Sequence, residues 1–286
     1  LYLLGEDGHR GHRHAGALTV QLYAGGREIF PDLGYICDHP GNQWVKATAS
    51  HQTVTVDGGN SVPSSPGTLL GWHDSGSARY IDMSVPLKGM ITVRRALTLL
   101  RKADGLPILL DIFDVEGGSV HDYQTRANAA PKPLDIEGRR LKRRKGSLYQ
   151  EHSFYPLLDF RTGGKRDGGW TATWGAGMGR VRASILTPCS ELVTYRSPGW
   201  RSQFEIAADP GKYFDTIVLR NRKKRSRFVV VYEAFDRSPS IRDATLEEDS
   251  KSVDVSLSLR GRKSISVSTP ATIGEESQEA WSVRRS

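Results

Sequence analysis

Most of the chain is written in short stretches where apolar and polar residues alternate, or where β-branched and aromatic residues run together, each closed by Gly, Pro, Asp or Ser. Residues 17–24 alternate and end at Gly25-Gly26, 28–30 follow, and a Pro31-Asp32-Leu33-Gly34 break leads on to 52–57 and Gly58-Gly59. Comparable runs occupy 78–85, 91–100, 107–115, 170–174, 180–186, 191–195, 203–206, 214–220 and 227–234. A period of two with turn residues between runs predicts antiparallel strands. Residues 222–226 read as a hairpin turn, and 252–259 with 264–268 alternate Ser with Val, Leu or Ile around Arg260-Gly261-Arg262, a final hairpin with one apolar face. Only 149–160 reads as well for a short helix as for a strand, and the end from Glu275 reads as frayed. There is no internal repeat, no heptad and no alternation of strands with helices. The fold class is all-β, a large antiparallel β-sandwich of two stacked multi-stranded sheets, with residues 1–236 as its main domain and 237–286 as C-terminal strands and a flexible tail.

Composition narrows the class without naming a function. The chain has 286 residues, 37% hydrophobic and 25% charged, and no apolar run nears the roughly 20 residues that span a bilayer. Its opening Leu1-Tyr2-Leu3-Leu4 lacks an initiator Met and reads as a processed or truncated piece. Cys37 and Cys189 stand far apart in a spacing unlike a metal site, and free thiols are the expectation. The net charge of +8 is concentrated in two acid-free runs, Arg139, Arg140, Lys142, Arg143, Arg144, Lys145 and Arg220, Arg222, Lys223, Lys224, Arg225, Arg227. That pattern fits exposed turns or a polyanion-facing patch. Nucleic acid is not the expected partner, because aromatic residues are not interleaved with the charges.

Candidate chemistry gathers near the front. Gly11-His12-Arg13-His14-Ala15 heads the first strand, and a period of two places His12, His14, Leu18, Val20 and Leu22 on one face. A buried imidazole needs partners for both ring nitrogens. Potential ligands are His12, His14, Asp32, His39 and His51, and the set His14, Asp32 and His51 would give zinc two imidazoles and a carboxylate. If Gly25-Gly26 closes a strict two-residue hairpin, Ala24 pairs with Arg27 and Thr19 with Asp32, which leaves Asp32 about five residues from His14 along the strand. The ligands would then meet through twist, a bulge or a neighbouring strand. The residues fit either a metal or a hydrogen-bonded His/Asp cluster tying three segments together.

Four blocks in order, Gly11-His12-Arg13-His14-Ala15, Leu22-Tyr23-Ala24-Gly25-Gly26-Arg27, Pro31-Asp32-Leu33-Gly34 and Ser50-His51-Gln52-Thr53-Val54-Thr55-Val56-Asp57-Gly58, resemble the start of the C-terminal β-sandwich domain of heparinase II/III-like polysaccharide lyases. Arg94-Arg95-Ala96-Leu97, His121-Asp122-Tyr123 and Val229-Val230-Val231-Tyr232-Glu233 fit it more loosely. Gly16, where an acid is common, and Gln52, where Asn is usual, depart from the pattern. The resemblance implies β-elimination in a uronic-acid-containing acidic polysaccharide, with His12 catalytic and His14, Asp32 and His51 holding one mainly structural zinc. Tyr23, Tyr35, Tyr123 and Arg126 are candidates for contributing to the site from the sandwich side, the last three as substrate contacts. It further implies an N-terminal helical toroid in the parent protein, for which this chain has no helical segment of that size, and a periplasmic or secreted location. A reading from another class is a non-catalytic carbohydrate-binding or structural sandwich that kept the fold.

Overall fold

A computed structural model describes residues 2–4, 13–37, 39–128, 134–137, 141–149, 157–176, 178–209, 211–271 and 281–286. In chain order the elements are β1 (Tyr2–Leu4), β2 (Thr19–Ala24), β3 (Arg27–Phe30), α1 (Asn42–Val45), β4 (Val54–Val56), β5 (Thr68–Asp74), β6 (Ala78–Leu87), β7 (Ile91–Arg101), β8 (Pro107–Glu116), β9 (Val120–Arg126), β10 (Asp135–Ile136), β11 (Lys142–Arg143), β12 (Leu158–Arg166), β13 (Trp170–Trp174), β14 (Arg180–Ile185), β15 (Cys189–Pro198), α2 (Gln203–Ala208), β16 (Tyr213–Arg222), β17 (Arg225–Phe235), β18 (Ile241–Glu248), β19 (Ser252–Leu259), β20 (Ser264–Pro270) and β21 (Ser282–Arg285).

The antiparallel sandwich expected from the pattern is present. An eight-stranded sheet (order β10-β13-β14-β17-β8-β7-β6-β5) faces a six-stranded one (β11-β12-β15-β16-β9-β4), and β1-β2-β3 form a small sheet beside them. Their shared core includes Val93, Leu97, Phe113, Phe228 and Val230 from the large sheet and Val54, Tyr123, Leu192, Ile217 and Leu219 from its partner. A third sheet, β18-β19-β20-β21, covers the other face of the large one, where Ile108, Leu110, Ile112, Val229 and Val231 meet Val253, Val255, Leu257, Ile265 and Val267. Burial on both faces is why β8 and β17 carry unbroken apolar runs at 108–110 and 228–232, whereas β19 and β20 alternate with Ser. Each fully buried Val, Leu or Ile contributes about 1.5–3 kcal/mol.

Buried charge fixes how the layers meet. Arg94, 1% exposed, pairs with Asp82 at 2.5 Å and Asp114 at 3.3 Å, and donates to the carbonyl of Pro270 at 3.0 Å. Arg227 binds Asp114 at 2.6 Å and the carbonyl of Ala271 at 2.5 Å. Both arginines thus fasten the third sheet at the end of β20. On the opposite face, Arg95 pairs with Asp111 at 2.9 and 2.5 Å and donates to the carbonyls of Leu18 at 2.7 Å and Gln52 at 2.5 Å. It therefore ties the chain just after His14 to the chain just after His51.

Two local expectations are corrected. Residues 203–206 are helical, not extended. The Ser202 hydroxyl accepts from the Glu205 amide at 3.1 Å, and Glu205 accepts from the Arg201 amide at 2.8 Å, an N-terminal capping pattern that outweighs the short alternation. The frayed end expected from Glu275 falls partly outside the described residues. Residues 281–286 are ordered, with β21 paired to β20 and Trp281 stacked on Tyr80 at 5.2 Å. Most of 149–160 also lies outside the described residues, and its end from Leu158 is strand β12. Cys37 is exposed, Cys189 is buried, both are free, and burial pushes the Cys189 thiol up to about 11.

Candidate metal centre

His14, Asp32 and His51 meet. His14 Nδ1 lies 3.0 Å from His51 Nε2, His51 Nε2 lies 3.4 Å from Asp32 Oδ2, and His14 Nδ1 lies 4.0 Å from that same oxygen. Local backbone features, not strand alternation, bring them together. His14 does not sit on β2 as expected. A turn closed by Thr19 N to Gly16 O at 2.9 Å, with Leu18 at φ 53°, takes residues 13–16 off the strand line. Ala15 N then donates to Lys46 O at 2.8 Å, and the Thr48 hydroxyl donates to Ala15 O at 2.5 Å. A left-handed Leu is strained by about 1–3 kcal/mol, and the bond from Arg95 to its carbonyl holds it there. The β2–β3 hairpin pairs Ala24 with Arg27 as expected, but a register shift puts Leu22 opposite Phe30, so the strict pairing of Thr19 with Asp32 does not occur.

Two of the three candidate ligands are aimed by a second contact. His51 Nδ1 lies 2.7 Å from the Ala47 carbonyl. A carbonyl only accepts, so Nδ1 carries a proton and donates it, and Nε2 is the nitrogen turned to Asp32 and His14. Asp32 Oδ1 accepts from the Gly34 amide at 2.7 Å, which turns Oδ2 to the cluster. His51 is 2% exposed, while His14 and Asp32 are 15% and 18% exposed, so the cluster has a closed back and a partly open front.

Electrostatics favours the ligand-competent forms. Burial lowers the His14 pKa, and the neighbouring His51 and Lys46 lower it further against the pull of Asp32, which leaves a neutral imidazole at pH 7. Burial opposes ionisation of Asp32, yet the hydrogen bond and charge of His51, the Gly34 amide and His14 hold its carboxyl at about 2. Donor atoms around a tetrahedral zinc at about 2.0–2.2 Å stand about 3.3–3.6 Å apart. The observed 3.0, 3.4 and 4.0 Å bracket that spacing. The donor set fits one zinc ion.

The departures at Gly16 and Gln52 acquire reasons. A Cβ on Gly16 would lie 2.9 Å from His51 Cδ2 and 3.3 Å from Nε2, so this backbone is packed against the imidazole. Gly16→Ala is expected to displace the ring and weaken zinc binding by at least ~10-fold while the fold persists, read by competition titration with a metal indicator. Gln52 is long enough to pair twice with the Arg126 backbone, Nε2 to O at 2.7 Å and amide to Oε1 at 2.9 Å, which extends the β4–β9 pairing toward His51.

The remaining expected site residues are not gathered. His12 lies outside the described residues. His39 stays apart, its Nδ1 accepting from the Gly41 amide at the start of α1. Tyr35 is half-buried in the Asp32 loop, with Lys46 Nζ 5.6 Å above its ring. Tyr23 is exposed and donates to Glu28. Tyr123 and Arg126 are corrected: both are 1% exposed. Tyr123 donates to Asp111 at 2.5 Å in the central core. Arg126 lies beneath the layer that Trp44 helps to form and donates to the Ala49 carbonyl at 2.5 Å. Substrate cannot reach either. Arg126 instead supports the turn that precedes His51. The backing residues Arg95, Gln52 and Ala47 were not among the site candidates: Arg95 and Gln52 stand in the quoted blocks, but all three act through or on backbone carbonyl groups, which residue type does not signal.

The cluster and its loops fall within one matching segment. Residues 3–85 match the family described as heparinase II/III-like, C-terminal. The resemblance carried by the four blocks therefore holds over that segment. No curated protein matches the chain by sequence. Among solved structures, the heparan sulfate lyase HepC from Pedobacter heparinus superposes with a TM-score of 0.63 at 14% identity, over 96% of this chain and 39% of that one. The heparinase III BT4657 gene product superposes with a TM-score of 0.61 at 15% identity, over 90% and 36%. At such identities the likeness is one of fold. The chain spans less than two-fifths of the length of those structures. Among the described residues no helix is long and apolar enough to cross a membrane.

Proposed function

We propose that this chain is the β-sandwich part of a polysaccharide lyase that cleaves a uronic-acid-containing acidic polysaccharide by β-elimination outside the cytoplasm, in the periplasm or after secretion. The observation that carries the reading is the convergence of His14, Asp32 and His51 within the segment that matches the heparinase-like family. In the reaction a base removes the proton at C5, the bond from C4 to the leaving oxygen breaks, a C4=C5 double bond forms, and an acid returns a proton to the leaving sugar. His12, two residues before His14, is proposed as one of these proton-transfer groups. Zinc held by His14, Asp32 and His51 would act mainly as a structural tie, fixing the segment that follows His12 in the chain. Tyr35, in the same loop as Asp32, remains the sandwich-side candidate for touching substrate.

The second wall of the cleft, including the group that neutralises the uronate carboxylate and a further acid or base, is proposed to come from a helical domain N-terminal to the sandwich. Each positioned acid or base contributes on the order of 10²–10⁴-fold. The isolated chain is therefore expected to release unsaturated uronate at least ~100-fold more slowly than a protein carrying both parts, read by ultraviolet absorbance on heparan sulfate and alginate. His12→Ala in the longer protein should abolish product. Full activity of the isolated chain, or none in the longer protein, would overturn the reading, and the latter with retained glycan binding would favour a non-catalytic module.

A further inference from the structure

The two basic runs lie some eighty residues apart in sequence, and the fold places both on the six-stranded sheet, the first along its β11 edge and the second at its β16–β17 end. β11, which carries Lys142 and Arg143, pairs with β12 at Thr162 and Arg161. β12 pairs with β15, Arg166 opposite Cys189, and β15 pairs with β16, Glu191 opposite Arg220. The end of β12 and the β16–β17 turn at Lys223 and Lys224 therefore lie at one end of the six-stranded sheet, with β11 along its edge. Strands stand about 4.8 Å apart and rise about 3.3 Å per residue, so Lys142 and Arg222 are roughly 20 Å apart. Arg139 and Arg140 of the first run lie outside the described residues.

We propose that this edge and end form a docking surface for an extended acidic polysaccharide, separate from the metal centre. Its cations are exposed, and acids neutralise only some of them. Asp159 pairs with Arg143 at 3.5 Å and Arg161 at 2.8 Å, Glu191 pairs with Arg222 at 3.5 Å, and Glu116 pairs with Arg225. Lys142, Arg144, Lys145, Lys165, Lys223 and Lys224 are exposed and have no ion pair among the described residues. Asp167, and Asp57 bonded to the Val120 amide opposite Arg222, are further exposed acids nearby, and the surface keeps a positive excess. Clustered unpaired cations gain from counter-ion release when they meet a dense polyanion.

Position separates this surface from the catalytic reading. Gln52, next to His51, bonds to Arg126, which pairs with Thr216 on β16, while Arg222 lies six residues further along that strand. The turn is thus roughly 20 Å from the metal centre along the sheet. A polymer bound there would be held at a distance from the bond to be cut, which suits a long substrate that must be retained between cleavages. The surface has no exposed aromatic residue among the described ones, so it offers charge without stacking, a match to a glycan rather than to unpaired bases.

The inference rests on the acidic-polysaccharide reading above, and its test is separate from that of catalysis. The full chain is applied to immobilised heparin over a salt gradient, beside Lys223→Gln/Lys224→Gln and Lys142→Gln/Lys145→Gln variants whose melting temperatures verify folding. Each double variant is expected to weaken heparin binding roughly tenfold at about 0.1 M salt, with a shallower salt dependence. The wild-type chain should bind single-stranded DNA of matched length less tightly than heparin. Unchanged heparin binding in both variants, or tighter binding to the DNA, would overturn the proposal. Absence of lyase product would instead count against the catalytic reading and leave heparin retention standing.

Discussion

Replacing Arg95 with Met should lower the unfolding free energy by about 3–5 kcal/mol, the range found when one member of a buried ion pair is removed. Arg95 is 1% exposed and Asp111 0% exposed, so the carboxylate left behind could not regain water. The Tyr123 hydroxyl would still donate to it, but two guanidinium contacts would be gone. The same change frees the carbonyls of Leu18 and Gln52, so zinc affinity should fall with stability although Arg95 is not a ligand. Denaturant melts with and without zinc measure both effects. Arg95→Met/Asp111→Leu should recover part of the loss, because the orphaned charge is removed with its partner. A loss below about 1 kcal/mol in the single variant would show that the pair is dispensable.

Zinc itself should have an effect of similar size. At free metal a thousandfold above its Kd, a ligand that binds only the folded chain stabilises it by about 4 kcal/mol. The chain treated with chelator and then titrated with zinc should take up one ion and regain that stability. His51→Ala should lose both uptake and the gain, because it leaves His14 and Asp32 without their most buried partner. Elemental analysis and thermal melts provide the readouts. A melting temperature indifferent to zinc in the wild-type chain would mean that a shared proton, not a metal, holds the three side chains.

The sequence told strand from helix well wherever a run alternated or was continuously apolar, as in β7, β8 and β17, since burial on one or both faces writes itself directly into residue type. It failed where the deciding forces were local or polar. The cap at Ser202 overrode an apparent strand at 203–206. In β9 the side chains His121, Asp122, Gln124, Thr125 and Arg126 look like a surface or a site, yet all are buried, since layers cover both faces of that strand. That is why Tyr123 and Arg126 were misread. The ligand set was legible from residue type and from the four family blocks. Its assembly was not, because it depends on the left-handed Leu18 and the register shift before Phe30, neither of which leaves a hydrophobic signature.

The central sheet's burial on both faces also sets the order in which the molecule can open. The amides of β8 are flanked by hydrogen-bonded neighbours β7 and β17 and roofed by a further sheet on each side. They become accessible to solvent hydrogen only when whole layers part, whereas β5 and β11, each at a sheet edge, need only fray. The metal centre belongs to neither extreme. Its segments, 13–18, 31–36 and 46–52, are mostly loop and turn, and the first and last are pinned to the doubly covered sheet through Arg95. A cluster built this way can loosen and re-form without disturbing the layers beneath it.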